Sequence, residues 1–143
     1  MAADAAGGKG RLEVAVLTPM GPVVTAKVDA VIAPGSLGEF GVLVGHVPFV
    51  SGLGIGVLVL RTGAERERLA VGRGFLEVSH DGTVRVLVEQ AALAKGIDVV
   101  AARAEADALG AELATNVAVG AARAVLADRA AWARARVAAA AGA

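Results

Sequence analysis

"TVRVLVEQAALAKGIDVVAARA", Thr83 to Ala104, begins as one kind of structure and ends as another. At its start Val84, Val86 and Val88 alternate with Thr83, Arg85 and Leu87, the period of two that sends successive side chains to opposite faces of a strand. After Gly96 the turn signals thin out and alanine rises to roughly half of the residues, which favours helix because alanine loses no side-chain entropy. The stretch is therefore a boundary between an all-β part and a helical part.

Upstream, short β-branched runs are separated by turn residues at spacings of about 8 to 12, the rhythm of an antiparallel sandwich or barrel. "LEVAVLT" (Leu12 to Thr18) meets "PMGP"; "VVTAKVDAVIA" runs to Pro34 and Gly35; "GVLVL" ends at "RTGAE"; "LAVGRGFLEVS" ends at "HDG". Asp81-Gly82 is a tight-hairpin signal, since glycine takes positive φ at no steric cost. Downstream, Asp98 is placed to cap a helix on which Val99, Ala102, Ala106, Leu109 and Leu113 share one face. "TNVAVG" (Thr115 to Gly120) interrupts it, and a second helix is expected from about Ala121 to Ala141, with Val125, Leu126, Ala133 and Val137 as its apolar contacts. The first helix has four acids against one arginine, and the second four arginines against Asp128, so the two attract. The fold class expected is α+β: a disordered leader at residues 1–10, a β-sandwich over 11–92 and an antiparallel helical hairpin over 93–143.

Composition excludes several functions. Lys and Arg number 14 and so do Asp and Glu, which leaves no net field for nucleic acid or an anionic membrane. Cysteine is absent, which removes thiol nucleophiles, disulfides and thiolate zinc sites, and no apolar stretch approaches the ~20 residues that span a bilayer. "GLGIG" (Gly52 to Gly56), "GRG" (Gly72 to Gly74) and "GEFGVLVGH" lack the lysine of a phosphate loop and a strand-to-helix setting, and read as turns and bulges. His46 and His80 have no partners at metal-ligand spacing, and His80 beside Asp81 reads as a turn. Ser36, Ser51 and Ser79 lie in no nucleophile elbow, and Glu39, Glu65, Glu67, Glu77 and Glu89 are scattered. No catalytic residue, metal or cofactor is expected.

"GEFGVLVGHVPFVSGL", "GRGFLEV", "VRVLVEQA" and a hairpin opened by "GID" together resemble the epsilon subunit of the bacterial rotary ATP synthase, the delta subunit of the mitochondrial enzyme. The most specific positions are Gly38, Glu39, Gly41, Gly45, His46 and the run Gly74 to Val78. The resemblance implies a non-catalytic part of the central stalk, peripheral on the cytoplasmic face of the bacterial inner membrane. Its partners would be the gamma subunit, the c-ring loops and, through an extended C-terminal hairpin that restrains ATP hydrolysis, the alpha and beta subunits. Ser36, Glu39 and Phe40 would face the c-ring; His46, Val47 and Pro48 would face gamma; Arg123, Arg129, Arg134 and Arg136 would form the inhibitory basic helix.

Two departures stand out. Val44 replaces a proline common before the Gly45-His46 pair. Of an ATP-binding motif found in some relatives, Ile97, Asp98 and Arg134 match, whereas Ala101 and Ala130 occupy positions of its arginines, so ATP binding is expected to be weak. The competing reading from another class is a free-standing β-sandwich protein-binding module with a dimerising helical tail.

Overall fold

A computed structural model describes residues 10–142, so the leader expected at 1–10 lies, apart from Gly10, outside the described residues. Ten strands come first: β1 (Leu12–Thr18), β2 (Gly21–Val28), β3 (Ala30–Gly35), β4 (Gly38–Leu43), β5 (Phe49–Leu53), β6 (Gly56–Thr62), β7 (Glu65–Val71), β8 (Gly74–Val78), β9 (Thr83–Val88) and β10 (Ala91–Leu93). A 3-10 turn, Ala94–Gly96, leads into α1 (Val99–Thr115) and α2 (Gly120–Ala141).

The strands follow the order β10-β7-β6-β3-β5-β8-β9-β1-β2, with β4 paired to β3. The join between β3 and β5 is a single partner pair, Gly35 with Leu53, so the sheet folds there into two layers. Between the layers lies one core of leucine and valine, including Val14, Val31, Leu58, Leu69, Leu76 and Val86, and among the described residues no polar or charged residue is buried. Alternation in β9 places Val84, Val86 and Val88 inside and leaves Arg85 and Leu87 outside. At the β8–β9 turn Gly82 takes φ 87°, and the Asp81 carboxylate accepts a 3.0 Å bond from the Thr83 amide.

Two runs that read as single strands are each broken. "VVTAKVDAVIA" divides at Asp29, whose amide donates to Arg61 and whose carboxylate accepts from the Gly63 amide at 2.6 Å, turning the chain between layers. "LAVGRGFLEVS" divides at Gly72 and Arg73, where the Gly72 amide donates to Gln90 and the Glu89 amide donates to Arg73. Gly74 follows immediately, and a Cβ there would lie 1.8 Å from the Leu87 carbonyl oxygen, so no other residue brings β8 this close to β9.

Asp98 caps α1, its carboxylate accepting from the Ala101 amide at 3.1 Å. The seam between the helices is Leu109, Leu126, Ala130 and Ala133, with Ala106 and Leu113 partly covered. Val125, expected in that seam, is 60% exposed, because burial of Leu126, Ala130 and Ala133 turns it outward. A second face of α2 packs Ala135, Ala139 and Trp132 against Ala70, Ile55, Val57, Ala94 and Ile97, which docks the hairpin on β6 and β7. Among the described residues no helix is long and apolar enough to cross a membrane.

Candidate functional site

The β3–β4 turn carries Ser36 and a fully exposed Leu37, and is tied down by the Ser36 amide donating to Gly52 at 3.1 Å. Phe40 meets Phe49 edge-on at 5.7 Å between centroids, and the His46 ring lies 4.7 Å from Phe49. His46 Nδ1–H donates to the Val47 carbonyl at 2.7 Å, which fixes the ring. Ser36, Glu39, Phe40 and His46 therefore line one depression of about 460 Å³. The two sets separated by the sequence reading share one patch, while Val47 and Pro48 stand exposed at its margin.

His46 also borders a smaller depression of about 270 Å³ that contains His80, Asp81 and Arg11. The bond from Thr83 holds the Asp81 carboxyl below the usual carboxylate range, which marks it as a turn cap and not a proton acceptor for His80. Among the described residues no three His, Asp or Glu side chains are grouped to hold a metal ion.

A larger depression, about 730 Å³, is a groove on the outer face of the β5-β8-β9-β1 layer. Cross-strand register builds its floor: Gly52 opposes Phe75, Phe75 opposes Leu87, and Leu87 opposes Leu17. Phe75 is 60% and Leu87 46% exposed, although both sit within strands. The β1–β2 turn, with Pro19, and the β3–β4 turn, with Ser36, rise on either side. Ser36 and Gly52 belong to both the groove and the aromatic depression, so the two are continuous. Arg73 and Glu89 bring the only charge to the groove lining. A bare apolar row with charged groups kept to its edge is suited to lie against another protein.

The four arginines of α2 do different work. Arg136 pairs with Glu105 of α1 at 2.6 Å and sits 5.8 Å from the Trp132 ring centre, and Arg123 donates to the carbonyls of Leu113 and Asn116 at the end of α1. Arg129 and Arg134 are exposed and make no ion pair among the described residues. Of the residues matching the ATP motif, Ile97 is packed against the α2 interface, Asp98 is occupied with capping, and Arg134 points away from the buried Ala133 and Ala135.

The family described as "ATP synthase, Delta/Epsilon chain, beta-sandwich domain" matches residues 11–94. The chain belongs to that family. Curated epsilon chains agree: that of Leptospira borgpetersenii is 42% identical over 91 residues, covering 64% of this chain and 71% of its own, and that of Anoxybacillus flavithermus is 46% identical over 93 residues, covering 65% and 69%. Both alignments leave a third of this chain unmatched. Structural likeness reaches further. A chain of the Euglena gracilis mitochondrial ATP synthase (OSCP/F1/c-ring) superposes with TM-score 0.75 at 19% identity, over 94% of this chain and 84% of its own. A chain of the Tetrahymena thermophila enzyme (central stalk/c-ring) gives 0.62 at 18%, over 92% and 98%. Sandwich followed by helices is thus a fold this epsilon-family chain shares where sequence identity is low.

Sequence reasoning missed Phe75, Leu87 and Arg73 as surface features. A signal existed for Leu87, an apolar residue at an outward position of an alternating strand. Arg73 gave none, because its role depends on Asp128, 55 positions away in α2.

Proposed function

We propose that this chain is a non-catalytic rotor subunit of an ATP synthase, held peripherally on the cytoplasmic face of the membrane, that links the c-ring to gamma. The sandwich does the binding and the hairpin regulates. The supporting observation is the bare apolar row Leu17, Leu87 and Phe75, continuous with the glycine-rich patch of Ser36, Glu39, Phe40 and His46, in a family whose solved relatives are described as central-stalk and c-ring assemblies. Gamma lies along the groove and past His46, Val47 and Pro48. The c-ring loops meet the turn bearing Ser36, Leu37 and Glu39. Few side chains need ordering on such a surface, which lowers the entropic cost of association.

The docked hairpin is the permissive state in this reading. Released, α2 offers Arg123, Arg129, Arg134 and Arg136 to acidic surfaces of the alpha and beta subunits and slows hydrolysis. Reconstitution of the catalytic complex with and without this chain tests the assignment. The wild-type chain is expected to join through gamma, Phe75→Glu to fail to join, and Arg129→Glu/Arg134→Glu to join but inhibit less. Assembly unaffected by Phe75→Glu would remove the groove from the proposal.

A further inference from the structure

Arg73 stands at two boundaries at once. Its backbone is clamped by the Glu89 amide bond at 3.0 Å and by the adjoining Gly74, so the side chain leaves a fixed point on the rim of the apolar groove. From there Nη1 donates to Oδ2 of Asp128 on α2. The pair is about half exposed on both sides, and Arg73 makes no other side-chain hydrogen bond among the described residues. A guanidinium carries five N–H donors in a planar fork, so most of this one's capacity is unspent and open to the groove.

We propose that Arg73 is shared between the hairpin and the partner in the groove, so that an acidic side chain on an apolar-faced segment of gamma takes Arg73 from Asp128 and loosens the docked hairpin. This rests on the reading of gamma as the groove's occupant. Charge complementarity selects the acid: apart from the uncharged Thr18 and Ser36 the polar residues of the lining are Arg73 and Glu89, and Arg73 is the only cation among the described residues that line it. The apolar contacts between α2 and the sandwich are alanines, Trp132 and short aliphatic side chains, with the Arg68 side chain beside Gly142 at the helix end, a small area against which one ion pair counts. Linkage then makes the effect reciprocal: partner binding weakens docking by the factor by which docking weakens partner binding.

The signature is a pair of substitutions that agree on docking and disagree on binding. Asp128→Asn frees Arg73 for the partner, whereas Arg73→Ala removes it; both release α2. Trp132, the only tryptophan, lies in the docking interface and reports release as a red shift of emission in the isolated full-length chain. Affinity is read by titrating each full-length variant into a gamma-containing catalytic complex stripped of this chain. Asp128→Asn is expected to bind about two- to fivefold tighter than wild type and Arg73→Ala weaker by a similar factor, the range an exposed ion pair supplies. The swap Arg73→Asp/Asp128→Arg should restore Trp132 emission but not affinity. Shifts of affinity in the same direction for both single variants, or in neither, would overturn the sharing of Arg73 and leave the function standing. Failure of the wild-type chain to join the complex would overturn the function itself, and this inference with it.

Discussion

The core of the sandwich and the seam of the hairpin are both apolar, yet they are built of different material. Of the 17 buried residues in the sandwich cluster all but Ala33 are leucine or valine. The helix seam has two leucines and two alanines, and the face that docks α2 on the sandwich fully buries only alanines, with Trp132, Ile55, Val57 and Ile97 partly covered around them. At about 25 cal/mol per Å² a methyl group contributes far less than an isobutyl group, so each fully buried side chain stabilises the sandwich core more than it stabilises the docked hairpin. Under the proposed function this difference separates a part that must persist from a part able to move.

The sharpest way to break this comparison is to remove equal volumes from each region. Leu76→Ala in the sandwich is expected to cost about 2 to 5 kcal/mol in global stability, visible as a lower urea midpoint with an unchanged slope. Leu126→Ala in the seam removes the same atoms, but its effect on global unfolding is capped by the small free energy of hairpin docking. It should red-shift Trp132 emission while leaving the sandwich midpoint within about 0.5 kcal/mol of wild type. Equal losses from the two substitutions would mean that sandwich and helices unfold as one unit. Truncation after Gly96 is the complementary test, and should leave a cooperatively unfolding β-domain. Cutting earlier, at Gln90, would strip β10, whose Ala91 and Leu93 pack on the core and pair with β7.

Legibility divides along the same line. Alternation written locally, as in Val84, Val86 and Val88, made β1 and β9 readable and marked the runs that hold β2, β3, β6, β7 and β8, whereas β4 and β5 lie in the glycine-rich stretch that reads as turns and bulges. Two of the places where the chain changes layer also escaped, Asp29 and Gly72-Arg73, because the decisive bonds go to Arg61, Gly63 and Gln90, distant in sequence. In α2, spacing alone did not tell Val125 from Leu126, since an alanine-rich helix offers several weak apolar stripes and the neighbouring surface selects one. The aromatic patch was legible as residues but not as a single surface, since Phe40, His46 and Phe49 come together only once β4 and β5 are in place.

A smaller effect sharpens the comparison through pH. The bond from Arg73 holds the Asp128 carboxyl below its ordinary value, so the pair supports docking above that value, and the support is lost as pH falls through the lowered value. Exposure limits it to under about 1 kcal/mol. Trp132 emission should therefore show a step on the acid side of the ordinary carboxylate range that Asp128→Asn lacks. The smallest expected change comes from ATP. With Ala101 and Ala130 in place of cations, each lost phosphate contact removes about one to two decades of affinity. Calorimetry at micromolar nucleotide should show no heat of binding, and Trp132 emission no shift.

The parallel pairing of β1 with β9 sets an order of events during synthesis. Glu13 lies against Thr83 and Leu17 against Leu87, partners about seventy positions apart. The ribosome adds ~5–20 residues per second, so β1 and β2 emerge about 4 to 14 s before the strand that completes their layer exists. During that interval Leu12, Val14 and Val16, which end fully buried, have only the β2 hairpin for cover. The helices close over short separations and form within microseconds of leaving the exit tunnel. β1 is thus sheltered only some seventy residues after it is made, and the nascent chain is most open to aggregation before β9 has been translated.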